Sequence, residues 1–302
     1  MAEPMAEGLA DPDLPALFAA ADRNSLVGQR RTLRTVRTRL ALLVVAAVAG
    51  TFGWHAGPMD VAGFVGAVAL GGALVTEVYL LTARPERLWY DGRAVAESAK
   101  SLAWRFAVGG NPLPVDPLHS SESMQAARDT LLRRFRSLIR EMGDVHLVPR
   151  SEGIVQITAA MQGARELPLA ERQRLYLRGR VLDQQRWYAS KAAWNERRAV
   201  SWQVTLAVAE AVGLAGAVLK AASVLSIDTL GIVSALTAAG AAWLQTKQHH
   251  NLARAYAVAS QELADIAAMA ERAFTEREWA DFAADAEDAI SREHRLWRAT
   301  HA

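Results

Sequence analysis

The sequence predicts an all-α integral membrane protein: two transmembrane helical hairpins carried on long cytoplasmic helices. Residues 40–82 and residues 200–246 each contain two mostly uncharged runs of about 20 residues, the length an α-helix needs to cross roughly 30 Å of hydrocarbon. A short connection joins the two runs of each pair, at 55–60 and at about 220–228. The basic residues sit at the opposite ends. Arg30, Arg31, Arg34, Arg37 and Arg39 precede the first run, and Arg84 and Arg87 follow the second. Arg186, Lys191, Arg197 and Arg198 precede the third, and Lys247 and Arg254 follow the fourth, while Lys220 is the only cation in the outer turns. Positive residues near span ends stay cytoplasmic, so both termini are expected to face the cytoplasm.

Composition narrows the classes further. The formal charge of +2 over 302 residues is too small to imply a nucleic-acid partner. Cysteine is absent, which removes disulfides, thiol nucleophiles and Cys-ligated metals and fits a reducing cytoplasm. No secretory signal is expected, because the first apolar run begins only near residue 40 and a second follows at once. Heavy use of Ala, Arg and Trp suggests a high-GC bacterial genome.

In chain order, residues 1–12 are small and acidic and are expected to be disordered. A first module covers 13–110, with spans at about 40–54 and 61–81. Pro58 and Asp60 make its outer turn and cap the second span. Gly63, Ala67 and Gly71 are spaced by four, which is either a face for close helix approach or simple abundance of small residues in apolar spans. Beyond Pro85 a bent helix continues to about Val108, where Gly109, Gly110, Asn111 and Pro112 end it. A linker with an Arg-rich helix at about 122–141 occupies 111–167, with a loop or short strand near His146–Ile157. The second module, 168–302, opens at Pro168 with a long helix entering a span at about 199–219. A second span follows at about 229–244, and its helix is expected to run unbroken to about Phe274. Gly213 and Ala217 on the third span, and Gly231, Ala235 and Ala239 on the fourth, are further packing candidates. Thr275 and Glu278 form a capping box for a last helix to about Arg298. Both halves repeat one plan, with Glu97 and Glu262 in comparable places.

Glu210 is the costliest residue of the chain. It lies mid-way along the third span, where a charged side chain costs about 2.5–3.5 kcal/mol on insertion scales. On a helix it shares a face with Gln203, Ala207, Gly213 and Ala217. That face either lines a pore or subunit contact, or bonds between helices with the carboxyl protonated by desolvation. Glu77, near the inner end of the second span, can reach the interface and is expected to anchor it.

Catalytic and metal patterns are missing. There is no phosphate-binding glycine loop, no Gly-x-Ser-x-Gly and no His-Glu-x-x-His. The neighbouring His249 and His250 point in different directions on a helix and fit a pH-sensitive interfacial pair better than a metal site. Asp281, Asp285 and Asp288 fit a solvated acidic face, and the arginines of 128–140 fit anionic lipid headgroups beside a membrane. No enzyme activity, cofactor or metal is expected.

Three segments carry a family resemblance. Before the first hairpin stand Leu14, Pro15, Ala16, Leu17 and Phe18, then Ala21, Asp22, Ser25, Gln29 and Arg30. After it come Trp89, Tyr90, Arg93, Glu97, Ser98, Trp104, Arg105 and Phe106. Before the second stand Arg172, Tyr176, Arg180, Asp183, Gln184, Trp187, Tyr188, Lys191, Ala192 and Asn195. Together they resemble the SLATT families, two-transmembrane effector domains associated with bacterial nucleotide-synthesising and nucleotide-sensing conflict systems, in two tandem copies over almost the whole chain. The resemblance implies a membrane effector that forms a homo-oligomer and opens a pore when an upstream sensor fires, arresting or killing a phage-infected cell. No sensor domain is fused, so a separately encoded partner is implied. The family brings no catalytic residues to transfer. A constitutive channel or transporter, and a membrane-anchored scaffold, are the rival readings.

Overall fold

The computed structural model describes residues 8–141, 155–225, 227–272 and 274–299. Apart from one pair of two-residue strands, His55–Ala56 and Met59–Asp60, its regular structure is helical. Helix α1 (Ala16–Ala49) leads into the turn of the first hairpin, and α2 (Val61–Ala83) returns from it. Next come α3 (Pro85–Val108), α4 (Ser120–Glu141), α5 (Ala159–Glu166) and α6 (Leu169–Tyr176). A π-helical turn over Leu177–Leu182 joins α6 to α7 (Asp183–Ala221), so the helical run from 169 to 221 is continuous. The second hairpin closes with α8 (Thr229–Lys247), followed by α9 (His249–Met269) and α10 (Glu276–Ala299). Most of the expected loop at 146–157 lies outside the described residues.

These helices group into two compact units that do not follow chain order. One takes residues up to 28, 86–191 and from 255 onward; the other takes 29–85 and 192–254. Each family-like module therefore gives its hairpin to the second unit and its remaining helices to the first. Residues 8–12 of the expected disordered start belong to the first unit, where Leu9 packs into the core; residues 1–7 lie outside the described part.

The first unit has an ordinary soluble-type core. Helix α3 buries Val95, Ala96, Ala99, Ala103, Phe106 and Ala107, an apolar stripe at helical spacing. Against it pack Leu17, Phe18 and Ala21 of α1, Leu131 and Phe135 of α4, and Trp279, Ala283 and Ile290 of α10. Helix α3 stops where the sequence says it should. Gly109 sits at φ +80°, and the Gly110 amide donates to the Arg105 carbonyl at 2.8 Å, a Schellman closure. The capping box of α10 also forms: Thr275 N–H donates to Glu278 Oε2 at 2.8 Å, and Glu278 N–H donates to Thr275 Oγ1 at 3.3 Å. The Thr275 N–H and hydroxyl, both donating to Glu278 Oε2, hold that carboxyl below its usual range.

The second unit holds the hairpins. Asp60 caps α2 through Gly63 N–H, 3.0 Å away. Val61–Ala83, with mean hydropathy 1.9, and the Leu169–Ala221 run, at 1.7 in its best window, are long and apolar enough to cross a membrane. The apolar part of α1 is shorter, with Arg39 at its base, and α8 has 19 residues; neither meets the same measure. One expectation fails here. The fourth helix does not run unbroken to Phe274: Gln248 adopts a left-handed conformation (φ 48°), α8 ends at Lys247, and α9 ends at Met269. Arg84 does the same after α2 (φ 40°), just before Pro85. Proline explains the first break, since it cannot donate the helical hydrogen bond. Gln248 carries no such signal. The break instead seats His249, 4 % exposed, with its Nδ1 2.7 Å from Asn195 Oδ1 and its ring edge-on to Trp194.

Candidate functional site

Within the first hairpin, the face of α2 that meets α1 is set by Ala62, Gly66, Ala69 and Ala73. A side chain at Gly66 would touch the Ala46 carbonyl and Ala49 Cβ at 3.6–3.7 Å, and one at Gly72 would meet Leu42 at 3.1 Å. Gly63, Ala67 and Gly71 lie round the helix from that contact and are exposed, with nothing within 4 Å of the Gly71 position. They do not pack this hairpin; any helix they receive comes from elsewhere. At the end of this hairpin remote from its turn, Arg39 Nε lies 2.7 Å from Glu77 Oε2.

In the second hairpin, Gly213 and Gly216 are buried where α8 crosses. A Cβ on Gly213 would reach Val233 at 2.7 Å, and one on Gly240 would reach Leu206 at 2.7 Å. Ala217 is half-buried beside them. Gly231, Ala235 and Ala239 occupy the other side of α8 and are half-buried; the Gly231 position lies 3.5 Å from Thr51 at the tip of the first hairpin. The polar face anticipated on α7 therefore divides. Gly213 and Ala217 turn toward α8, whereas Gln203, Ala207 and Glu210 are exposed. Glu210 bonds to no helix of its own chain among the described residues. At the turn of the second hairpin Lys220 pairs with Asp228 at 3.0 Å.

At the ends of the hairpin helices remote from their turns, Arg30, Arg31, Arg34, Arg37, Arg197 and Arg198 are exposed. Arg198 lies over the Trp194 ring at 5.5 Å, and Lys247 over Trp243 at 5.7 Å. His249 is not an exposed switch. Burial, with Lys247 and Arg198 nearby, holds its pKa below the ordinary value and keeps the imidazole neutral at neutral pH.

Some of the motif residues outside the hairpins lie in the first unit's interior, whereas Trp187 and Lys191 are exposed. Trp104, Tyr176, Arg180 and Tyr188 are each at most 1 % exposed. Glu97 is buried and paired with Arg93 at 2.9 Å. Trp89 stacks on Tyr90, Trp187 meets Tyr188 and Tyr256 edge-on, Lys191 lies over Trp187 at 5.7 Å, and Gln184 is half-buried.

The centre of this interior is a residue the sequence did not flag, Glu287. It is fully buried on α10 and accepts Arg180 Nε at 2.9 Å, Arg180 Nη2 at 3.0 Å and Tyr176 Oη at 3.0 Å. The π turn places Tyr176 and Arg180 on one side of the helical run, both toward Glu287. Its Gly179 lies under Gly8; a side chain on Gly8 would sit 2.6 Å from the Gly179 Cα. A second buried cluster closes α3. Arg165 donates to the carbonyls of Phe106 (2.7 Å), Leu113 (2.8 Å) and Pro114, and Arg172 Nη1 and Trp279 Nε1 each donate to Val108 O at 2.7 Å. The guanidiniums of Arg165 and Arg172 thus take up the orphan carbonyls of Phe106 and Val108 at the negative end of the α3 dipole. Burial pulls the Arg165 pKa down to about 10. Asp281, Asp285 and Asp288 are exposed, with Asp288 paired to Arg105 at 2.8 Å. Among the described residues, no three His, Asp or Glu side chains converge as a metal site would require.

Tyr176 supplies a pH test of this core. Burial first, then the Glu287 charge, raise its pKa well above 10. The folded state therefore holds the phenol proton more tightly than the unfolded chain does. Its contribution to stability is complete below pH 10 and is lost as pH rises beyond it. Alkaline unfolding midpoints should fall steeply above pH 10, and Tyr176→Phe should flatten that slope. At neutral pH the same change should remove about 1.5–3 kcal/mol, the worth of a hydrogen bond to a charged group. Absorbance titration at 295 nm reads the phenol directly; a Tyr176 that ionises near pH 10 in the folded protein would contradict the assignment.

Family models match nearly the whole chain. SMODS and SLOG-associating 2TM effector domain 3 matches residues 15–173, and SMODS and SLOG-associating 2TM effector domain 1 matches residues 176–297. No curated protein and no solved structure matches it.

Proposed function

Because the chain belongs to the SMODS and SLOG-associating two-transmembrane effector domains and carries two of them in tandem, we propose that it is a bacterial inner-membrane effector. It assembles as a homo-oligomer and permeabilises the membrane in a conflict response triggered by a separately encoded sensor. All four hairpin helices cross the bilayer, both termini lie in the cytoplasm, and the work of the protein involves no catalytic step, cofactor or metal.

Glu210 carries this reading. It is exposed on the single chain at the middle of an apolar helix, beside Gln203 and Ala207. Lipid is the worst surrounding for it, at about 2.5–3.5 kcal/mol. A second copy of the chain, or water inside an assembly of copies, removes that penalty. The exposed small residues Gly63, Ala67 and Gly71 offer a second surface on which hairpins of neighbouring copies can approach closely.

Glu210→Leu separates insertion from conduction. The variant should reach the membrane at least as well as the natural chain, while triggered depolarisation, read with a potential-sensitive dye, falls about tenfold or more. Full depolarisation by the variant would remove Glu210 from the pathway. Depolarisation without any trigger would identify a constitutive channel, and its absence from the unaltered, triggered protein would leave a membrane-anchored scaffold.

A further inference from the structure

We infer that the inner ends of the hairpin unit form a docking surface for anionic phospholipid headgroups; this rests on the membrane reading above. The surface is built by helix register. On α1, Arg30, Arg34 and Arg37 share one exposed face at i, i+4 and i+7, and Thr32, 7 % exposed, lies on the opposite side. On α7, Arg197 and Arg198 are exposed while Asn195 and Ala199 are buried. Packing therefore turns these guanidiniums outward and fixes the helices beneath them. At the base of α8, Lys247 is steadied over Trp243, as Arg198 is over Trp194.

Charge decides the partner. In the same stretches of this unit, the only carboxylates among the described residues are Glu77 and Glu196, and Glu77 is already paired with Arg39. Arg30, Arg34, Arg37, Arg197, Arg198 and Lys247 have no ion pair among the described residues. Arg37 lies three residues before the first apolar run, and Arg197 and Arg198 adjoin the third. At 1.5 Å per residue that is within about 5 Å of the hydrocarbon edge, inside the headgroup layer. Arg34 stands about 9 Å below the edge, near one Debye length. Guanidinium binds phosphate through paired N–H donors, and Trp at this level is the usual interfacial anchor. An anionic leaflet thus becomes a ligand that holds the hairpins at a set depth.

Lipid-annulus measurement on the full chain tests this. Reconstituted in phosphatidylcholine bilayers containing about 30 % phosphatidylglycerol, the protein should immobilise spin-labelled phosphatidylglycerol about twofold or more over spin-labelled phosphatidylcholine. The preference should collapse toward one at 0.5–1 M salt, with a Debye length near 3 Å. It should also collapse in the combined Arg34→Gln, Arg37→Gln, Arg197→Gln, Arg198→Gln variant, with helical content by circular dichroism unchanged. Equal immobilisation of both lipids by the natural chain would overturn the headgroup surface while leaving the membrane reading intact. No immobilised lipid of either kind would overturn the membrane reading itself. A preference that survives the four substitutions would overturn the assignment to these arginines. Should the quadruple variant lose helical content, single Arg34→Gln and Arg197→Gln variants must each lower the ratio, and no change in either counts against the proposal.

Discussion

Glu287→Ala is expected to lower the unfolding free energy of the first unit by about 3–5 kcal/mol, a large share of a total that is commonly about 5–15 kcal/mol. The size follows from what is left behind. Arg180 is 1 % exposed, and its Nε and Nη2 both bind Glu287; Tyr176 Oη binds the same carboxylate. Removing the acid strands a guanidinium and a phenol in a core of Trp104, Trp279 and Val181. Arg180 Nη1 already finds no acceptor among the described residues, so nothing nearby takes up the freed donors. The opposite outcome is expected when the whole triad goes. Arg180→Met, Glu287→Leu and Tyr176→Phe together remove the charge and its partners at similar volume, and such replacements of buried pairs cost little or even stabilise. Denaturant unfolding followed by near-ultraviolet circular dichroism should rank the combined variant well above Glu287→Ala. A loss under about 1 kcal/mol in the single variant would mean the pair contributes no more than a surface one.

Glu287 also marks where the sequence stops being informative. Its neighbours Asp281, Asp285 and Asp288 were correctly legible as an exposed acidic face, because that face excludes the apolar stripe. Glu287 sits within the stripe of Ala280, Ala283 and Ile290, and a carboxylate in that register was the available signal. Its partner lies 107 positions away, so no local pattern names Arg180 as the answer. Punctuated features fared better. Asp60, Gly109, and the Thr275 and Glu278 pair each act within a few residues of themselves, and their positions in the fold match the sequence. Helix faces were harder. Small residues spaced by four describe any stripe of a helix, and which stripe meets a neighbour depends on where that neighbour lies. On α2 it is Ala62, Gly66, Ala69 and Ala73, and the Gly63, Ala67 and Gly71 stripe is left exposed. The left-handed break at Gln248 was illegible for the same reason: a buried contact between His249 and Asn195, 54 positions apart, selects it. The interleaving of the two modules into one hairpin unit and one helical unit likewise follows from contacts between halves.

Gly92 and Gly163 should respond in opposite directions to the same substitution. Both lie inside helices, where Gly→Ala by itself gains about 1 kcal/mol of helix propensity. Gly163 on α5 has nothing within 4 Å of the position a Cβ would take, so Gly163→Ala should stabilise by about 0.5–1 kcal/mol. Gly92 on α3 faces α1 at backbone distance. A Cβ there would lie 2.7 Å from Ser25 N, 2.9 Å from the Ala21 carbonyl and 3.1 Å from Ser25 Cα. None of these atoms is the free end of a side chain that could swing aside. One of the two helices must move, and α1 is tied down nearby by Leu17, Phe18 and Ala21, while α3 is held by Val95, Ala96 and Ala99. Overpacking a tight core costs about 1–3 kcal/mol, and backbone contact puts this site at the upper end, so the clash outweighs the propensity gain. Gly92→Ala should destabilise by about 1–2 kcal/mol, and Gly92→Val by about 3 kcal/mol or more, because a branched side chain adds bulk at the same point. Thermal midpoints of the three variants, compared under one condition, decide it. Stabilisation by Gly92→Ala would mean that α1 and α3 do not approach at this point, and the sharing of α1 with the first core would then need a different basis.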